Sequence, residues 1–176
     1  MRRCVAVFGG SRMRPGSEEY RQAEELGRAL AESGYDLVNG GFGGAMEATA
    51  RGAREGGACV TGVTIPLFGK AGNDYLDREV SASVIWERAK KMLDASEGIV
   101  ALPGSTGTLA ELSTAWEFVH KGVLSPRPLV FLGTFWAPLV DLLCPDPDAT
   151  AWCGGAVRIA SDPADAVRFL DEFFEL

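Results

Sequence analysis

The sequence predicts an α/β fold, a doubly wound, Rossmann-like parallel sheet with helices on both faces, spanning residues 1–176 as one domain. Three observations predict it. Short apolar runs alternate with helical periodicity along the chain, the pattern of parallel strands joined by crossover helices. The strand candidates read as continuous apolar runs, as expected where both faces of a sheet are covered. Three strands end in glycine-rich turns, and ligands of such sheets bind beyond the strand C-termini.

In chain order, residues 4–8 (Cys4-Val5-Ala6-Val7-Phe8) form a buried strand ending at Gly9-Gly10-Ser11. Residues 18–33 form a helix with Ala23, Leu26, Leu30 and Ala31 on one face, and Gly34 acts as its stop signal. A strand over 35–39 runs into Gly40-Gly41-Phe42-Gly43-Gly44, then an Ala-rich helix over 45–56 and a strand over 58–65. Residues 66–78, with Gly69, Gly72 and Asn73, read as a surface loop, and 79–84 as a short strand. A charged helix over 85–96 leads to a strand over 98–102, the turn Pro103-Gly104-Ser105-Thr106-Gly107-Thr108 and a helix over 109–121. A strand over 128–132, a short helix over 135–143, a loop over 145–155, a strand over 156–160 and a helix over 163–174 complete the pattern. Right-handed crossovers place the helices on both faces.

Composition narrows the class. The 176 residues carry 17 Lys+Arg against 24 Asp+Glu, a net charge of −7. With 47% hydrophobic and 23% charged residues, the chain is neither disordered, collagen-like nor a disulfide scaffold. The acidic balance argues against nucleic-acid binding, which needs a cationic field. Cys4, Cys59, Cys144 and Cys153 form no CxxC pair, and with one His a zinc cluster lacks ligands. Cys4 and Cys59 sit in apolar runs and read as buried free thiols. The N-terminal apolar run is too short for a signal h-region or for a membrane span of about 20 residues. The expectation is a cytoplasmic protein with reduced cysteines and no membrane partner.

The glycine turns carry the chemistry. Glycine lets the backbone approach a ligand, and the following helix offers unpaired N–H groups and the positive end of its dipole. The turn over 103–108 adds the hydroxyls of Ser105, Thr106 and Thr108. Spacing alone leaves it open between an anion site and an ordinary capped helix start. The Walker pattern is absent, as is G-x-G-x-x-G after the first strand. Asn39 stands where a ribose-binding acid is expected, which disfavours NAD.

Residues 103–111, Pro103-Gly104-Ser105-Thr106-Gly107-Thr108-Leu109-Ala110-Glu111, resemble the P-G-G-x-G-T-x-x-E signature of the LONELY GUY (LOG) family. Those proteins are cytokinin riboside 5′-monophosphate phosphoribohydrolases, formerly labelled possible lysine decarboxylases. Val7-Phe8-Gly9-Gly10-Ser11, Leu37-Val38-Asn39-Gly40-Gly41, Gly44-Ala45-Met46-Glu47 and the stretch over 56–63 follow in the family's order. The resemblance covers roughly residues 4–132. The family's M-H-x-R-K-x-x-M helix corresponds to residues 85–92. Arg88 and Met92 match there, whereas Trp86 and Ala89 replace the His and Lys. Ser105 replaces the second Gly of the signature.

The resemblance implies hydrolysis of the N-glycosidic bond of a cytokinin nucleotide or an AMP-like nucleotide, giving free base and ribose 5-phosphate. It implies catalytic roles for Arg88 and Glu111. Phosphate or substrate contacts fall to Gly10, Ser11, Gly41, Gly44, Met46, Gly104, Ser105, Thr106, Gly107 and Thr108. No metal or organic cofactor is implied, and a homodimer with its site near the subunit contact is. Physically, a carboxylate beside the anomeric carbon stabilises an oxocarbenium-like charge or deprotonates water. Read without the resemblance, Glu111 is a dipole-favoured acid in the first turn of a helix, Arg88 lies on a solvated face and Met46 is packing. The other reading within the same fold family is a non-catalytic nucleotide or molybdenum-cofactor carrier. Lysine decarboxylation is disfavoured, since nothing around Lys70, Lys90, Lys91 or Lys121 points to a Schiff-base lysine.

Overall fold

The structure is a computed structural model that describes residues 2–144 and 157–175. Its elements are β1 (Cys4–Phe8), α1 (Glu18–Glu32), β2 (Asp36–Asn39), α2 (Ala45–Glu55), β3 (Val60–Thr64), β4 (Arg78–Ser81), α3 (Ile85–Asp94), β5 (Gly98–Ala101), α4 (Thr106–His120), β6 (Leu129–Leu132), α5 (Ala137–Leu143), β7 (Val157–Ala160) and α6 (Pro163–Phe174). The strands form one seven-stranded sheet in the order β4-β3-β2-β1-β5-β6-β7. Every pairing is parallel. The strand order reverses between β1 and β5, so the crevice at their C-terminal ends is the binding position such a sheet provides.

Strand β1 shows why the runs are apolar throughout. Val5 and Val7 point to one face and join the core built with α1, α2 and α6. Ala6 and Phe8 point to the other and pack with Met92 and Leu93 of α3 and Leu112 and Ala115 of α4. Val5, Ala6, Val7 and Phe8 are all essentially inaccessible, so neither face tolerates a polar side chain.

Several expectations are corrected. Helix α4 begins at Thr106, three residues before its expected start, because Ser105 is the extended N-cap and Gly107 is already helical. Glu111 therefore lies in the second turn, not the first. The short strand starts at Arg78 and ends at Ser81, and the preceding loop contains a 3₁₀ turn over Pro66–Phe68. The Ala-rich α2 is covered by α1. A Cβ on Gly27 would meet the Thr49 carbonyl oxygen at 2.1 Å, and one on Gly52 the Glu24 carbonyl oxygen at 1.9 Å. The two helices thus touch backbone to backbone. Cys4 and Cys59 are free but only partly buried, and burial pushes the Cys4 thiol up to about 12. Cys144 is disulfide-bonded, against the expectation of reduced cysteines. The expected loop over 145–155, with Cys153, lies outside the described residues.

Candidate active site

The turns after β1, β2 and β5 meet at the switch point through backbone hydrogen bonds. Gly10 N donates to Pro103 O at 2.9 Å, and Ala45 N donates to Gly10 O at 2.9 Å. Gly44, with φ +70°, is needed here, since a Cβ would come within 2.5 Å of the Gly10 carbonyl oxygen. Asn39 holds the β2 turn from inside. It donates to Met46 O at 2.8 Å and to Thr49 Oγ1 at 3.1 Å, and its own Oδ1 accepts from Gly41 N at 2.8 Å. The amide that replaces an acid at this strand end is therefore a structural clamp.

Three helices begin near these turns, and their N-termini differ. Ser17 caps α1 through Tyr20 N at 3.2 Å, and Glu18 and Glu19 occupy its first turn. In α2 the first amide is used by Gly10 O, and Glu47 of its first turn accepts from Tyr20 Oη at 3.0 Å. Helix α4 has no acid in its first turn, and the Ser105 side chain makes no capping hydrogen bond. The amides of Thr106, Gly107 and Thr108 have no intrahelical acceptor. Of the three, α4 is the N-terminus suited to an anion.

Helix α4 opens on a cavity of about 520 Å³. Among the sequence-predicted residues, Gly10, Ser11, Met46, Arg88, Ser105, Gly107, Thr108 and Glu111 line it. Gly41 and Gly44 stand behind the wall, Gly104 borders a neighbouring cavity, and Thr106 is exposed without lining the first one. A Cβ on Gly107 would meet nothing within 4 Å, so its backbone is open to a ligand.

Arg88 is buried at 8% exposure rather than solvated, and its guanidinium is held on three sides. Nε donates to Val63 O at 2.7 Å, Nη2 to Gly40 O at 3.0 Å, and Nη1 to Glu111 Oε1 at 2.7 Å. The Phe42 ring lies 5.7 Å from the guanidinium carbon, and Met46 Sδ is 3.6 Å from Nη2. Met46 thus packs on Arg88 and lines the cavity as well. Gly40 is required by this approach, because a Cβ would fall 1.6 Å from Nη2. Burial raises the Glu111 carboxyl above the ordinary carboxylate range, and the Arg88 charge and hydrogen bond oppose the rise. The pair places an oriented carboxylate in a partly dry pocket beside an open helix N-terminus.

Sequence reasoning missed Gly40, Arg12, Phe42, Phe68 and Lys70, the last four of which line the cavity. Lys90 and Lys91 stay outside it. Lys90 pairs with Asp94, and Lys91 with Glu87 and Ser81 O. Trp116 packs on Phe131 at 5.6 Å between ring centroids, a core role. Among the described residues no group of three or more His, Cys, Asp or Glu is placed to hold a metal ion. None of their helices is long and apolar enough to cross a membrane.

Fold and site define a doubly wound α/β protein with an acid-free helix N-terminus facing a buried Arg–Glu pair at the switch point. The chain belongs to the SLOG cluster4 family, whose family model matches residues 2–126, and the expected LOG relationship holds. It is similar to the cytokinin riboside 5′-monophosphate phosphoribohydrolase of Mycobacterium tuberculosis, with 36% identity over 114 residues covering 62% of this chain. It spans 60% of that relative's length. The protein of the same name from Rhodococcoides fascians is 30% identical over 147 residues, 80% of this chain and 74% of that one. The molybdenum cofactor carrier protein of Chlamydomonas reinhardtii shares the fold, with a TM-score of 0.79 at 23% identity over 100% of both chains.

Proposed function

We propose that the protein is a nucleoside 5′-monophosphate phosphoribohydrolase that cleaves the N-glycosidic bond of a cytokinin nucleotide or an AMP-like nucleotide. One observation carries the reading: the open N-terminus of α4 and the Arg88–Glu111 pair line the same cavity. The names of the relatives agree with it.

In this reading the amides and hydroxyls of Ser105, Gly107 and Thr108 hold the 5′-phosphate, and Gly10 and Ser11 close the opposite wall. Phosphate binding fixes the ribose over Glu111, so remote binding energy positions the reacting carbon. As the C1′–N bond breaks, its electron pair leaves with the base and positive charge builds on C1′ and the ring oxygen. The Glu111 carboxylate stabilises that charge and takes a proton from the attacking water, whose oxygen bonds to C1′. The departing base regains a proton, giving free base and ribose 5-phosphate. Arg88 keeps Glu111 ionised and aimed, a role that its three fixed hydrogen bonds suit. The residues bring no metal or organic cofactor into the scheme.

A homodimer is part of this proposal. Leu109, Trp116, Phe118 and Val119 of α4 pack mainly inward but keep part of their surface exposed, which is the apolar surface a second copy would cover. The decisive experiment incubates pure, folded protein with AMP and with isopentenyladenosine monophosphate and follows base release by HPLC. Release that disappears in Glu111→Gln supports the proposal. No release from any member of a nucleotide panel overturns it.

A further inference from the structure

A phosphate at the α4 N-terminus and a sugar carbon at Glu111 account for only part of the cavity of about 520 Å³. The large apolar side chains in its lining are Phe42, Met46 and Phe68. This wall starts at the reacting pair. Arg88 is bonded to Glu111, and the Phe42 ring lies 5.7 Å from the Arg88 guanidinium carbon. The Phe68 ring in turn meets Phe42 edge to face, at 5.4 Å between centroids and 72° between planes. The two rings differ in burial. Phe42 is 8% exposed, whereas Phe68 is 48% exposed although it lines the cavity. The 3₁₀ turn over Pro66–Phe68 carries it, and Gly69 ends that turn in the left-handed conformation at φ +61°. Phe68 is thus braced by a second ring and still has apolar surface free for a flat guest. Among the described lining residues there is no side-chain amide or imidazole to read the edge of a base.

We infer that Phe68 stacks on the base of the substrate and makes the site selective for purine over pyrimidine nucleoside monophosphates. The inference deepens the nucleotide reading above and rests on it. The base is joined to C1′, so with C1′ at Glu111 it falls beside the pair where the aromatic wall begins. A fused purine covers more of a phenyl face than a single pyrimidine ring does, and stacking strength follows that overlap. A ring face is also indifferent to groups on the base edge. Adenine and an N6-alkylated adenine therefore both fit a site that grips the base by its face.

The test is calorimetric titration of the full-length Glu111→Gln protein, chosen to slow turnover, with AMP, CMP and ribose 5-phosphate. AMP is expected to bind more tightly than CMP. Glu111→Gln/Phe68→Ala is expected to bind AMP about ten-fold more weakly, the scale of one lost base stack, with ribose 5-phosphate affinity and the circular dichroism spectrum unchanged. The preference for AMP over CMP shrinks with it, and Phe68→Tyr in the same background restores both. An AMP affinity that Phe68→Ala leaves unchanged overturns the assignment to Phe68. An equal loss for ribose 5-phosphate overturns it too, since the ring then shapes the cavity rather than holding a base. Full AMP affinity in Phe68→Leu overturns stacking on a ring face. In each of these cases base release from AMP by the parent protein leaves the hydrolase reading standing. No base release by the parent, with AMP binding still weakened by Phe68→Ala alone among the three ligands, supports the base subsite and overturns hydrolysis. Absence of binding by all three ligands overturns both.

Discussion

At the residue scale the Arg88–Glu111 pair decides the chemistry. Their side chains are 9% and 16% exposed, so the ion pair is shielded from solvent screening. Glu111→Gln keeps the shape and removes the charge. It is expected to lower kcat by about 10²- to 10⁴-fold while nucleotide still binds, as measured by base release and calorimetry. Arg88→Ala strands a largely buried carboxylate and is expected to cost about 3 kcal/mol in urea unfolding. Arg88→Lys rescues the charge but not the fork to Val63 O and Gly40 O, so activity stays low. The raised Glu111 carboxyl sets a pH dependence. The ionised form is the working one, so kcat/KM falls as pH drops through a value above the ordinary 4.5. A pH profile whose acid limb lies at or below 4.5 contradicts that assignment. These two residues were legible because a signature and a helix motif matched together. Arg12, Phe42, Phe68 and Lys70 were not, since they come from separate loops that meet only once the sheet is assembled.

At the element scale the N-terminal turn of α4 was half-legible. The motif identified the segment, but Gly107, a poor helix former, hid the fact that the helix had already begun. Gly107→Ala separates the two roles. Its Cβ meets open space, so Tm is expected to hold or rise slightly, whereas KM for AMP rises because the methyl occupies ligand space. Gly40→Ala is the converse case. Its Cβ collides with Arg88, so stability is expected to fall by about 1–3 kcal/mol and activity with it. In the sequence Gly40 was one glycine among several in a turn, and nothing in the string marks which one faces an arginine from helix α3.

At the scale of the whole molecule, strand order places the site. The alternation of apolar runs and helices was enough to predict a doubly wound sheet, and the glycine turns pointed to its C-terminal edge. Strand adjacency was not readable, because β1 pairs with β5 across a long stretch of chain. Nor was the contact of α1 with α2, which depends on Gly27 and Gly52 facing each other's backbones. Gly52→Ala is expected to cost about 1–3 kcal/mol by forcing those helices apart, read as a lower urea midpoint with the m-value unchanged.

Gly10 joins the three turns through both its N–H and its carbonyl. The cradle is therefore rigid before any guest arrives. Deuterium should enter slowly at the amides of Gly10 and Ala45 in the empty protein and rapidly at Gly107 and Thr108. Adding nucleotide should slow only the latter pair, because recognition fills a mould already set.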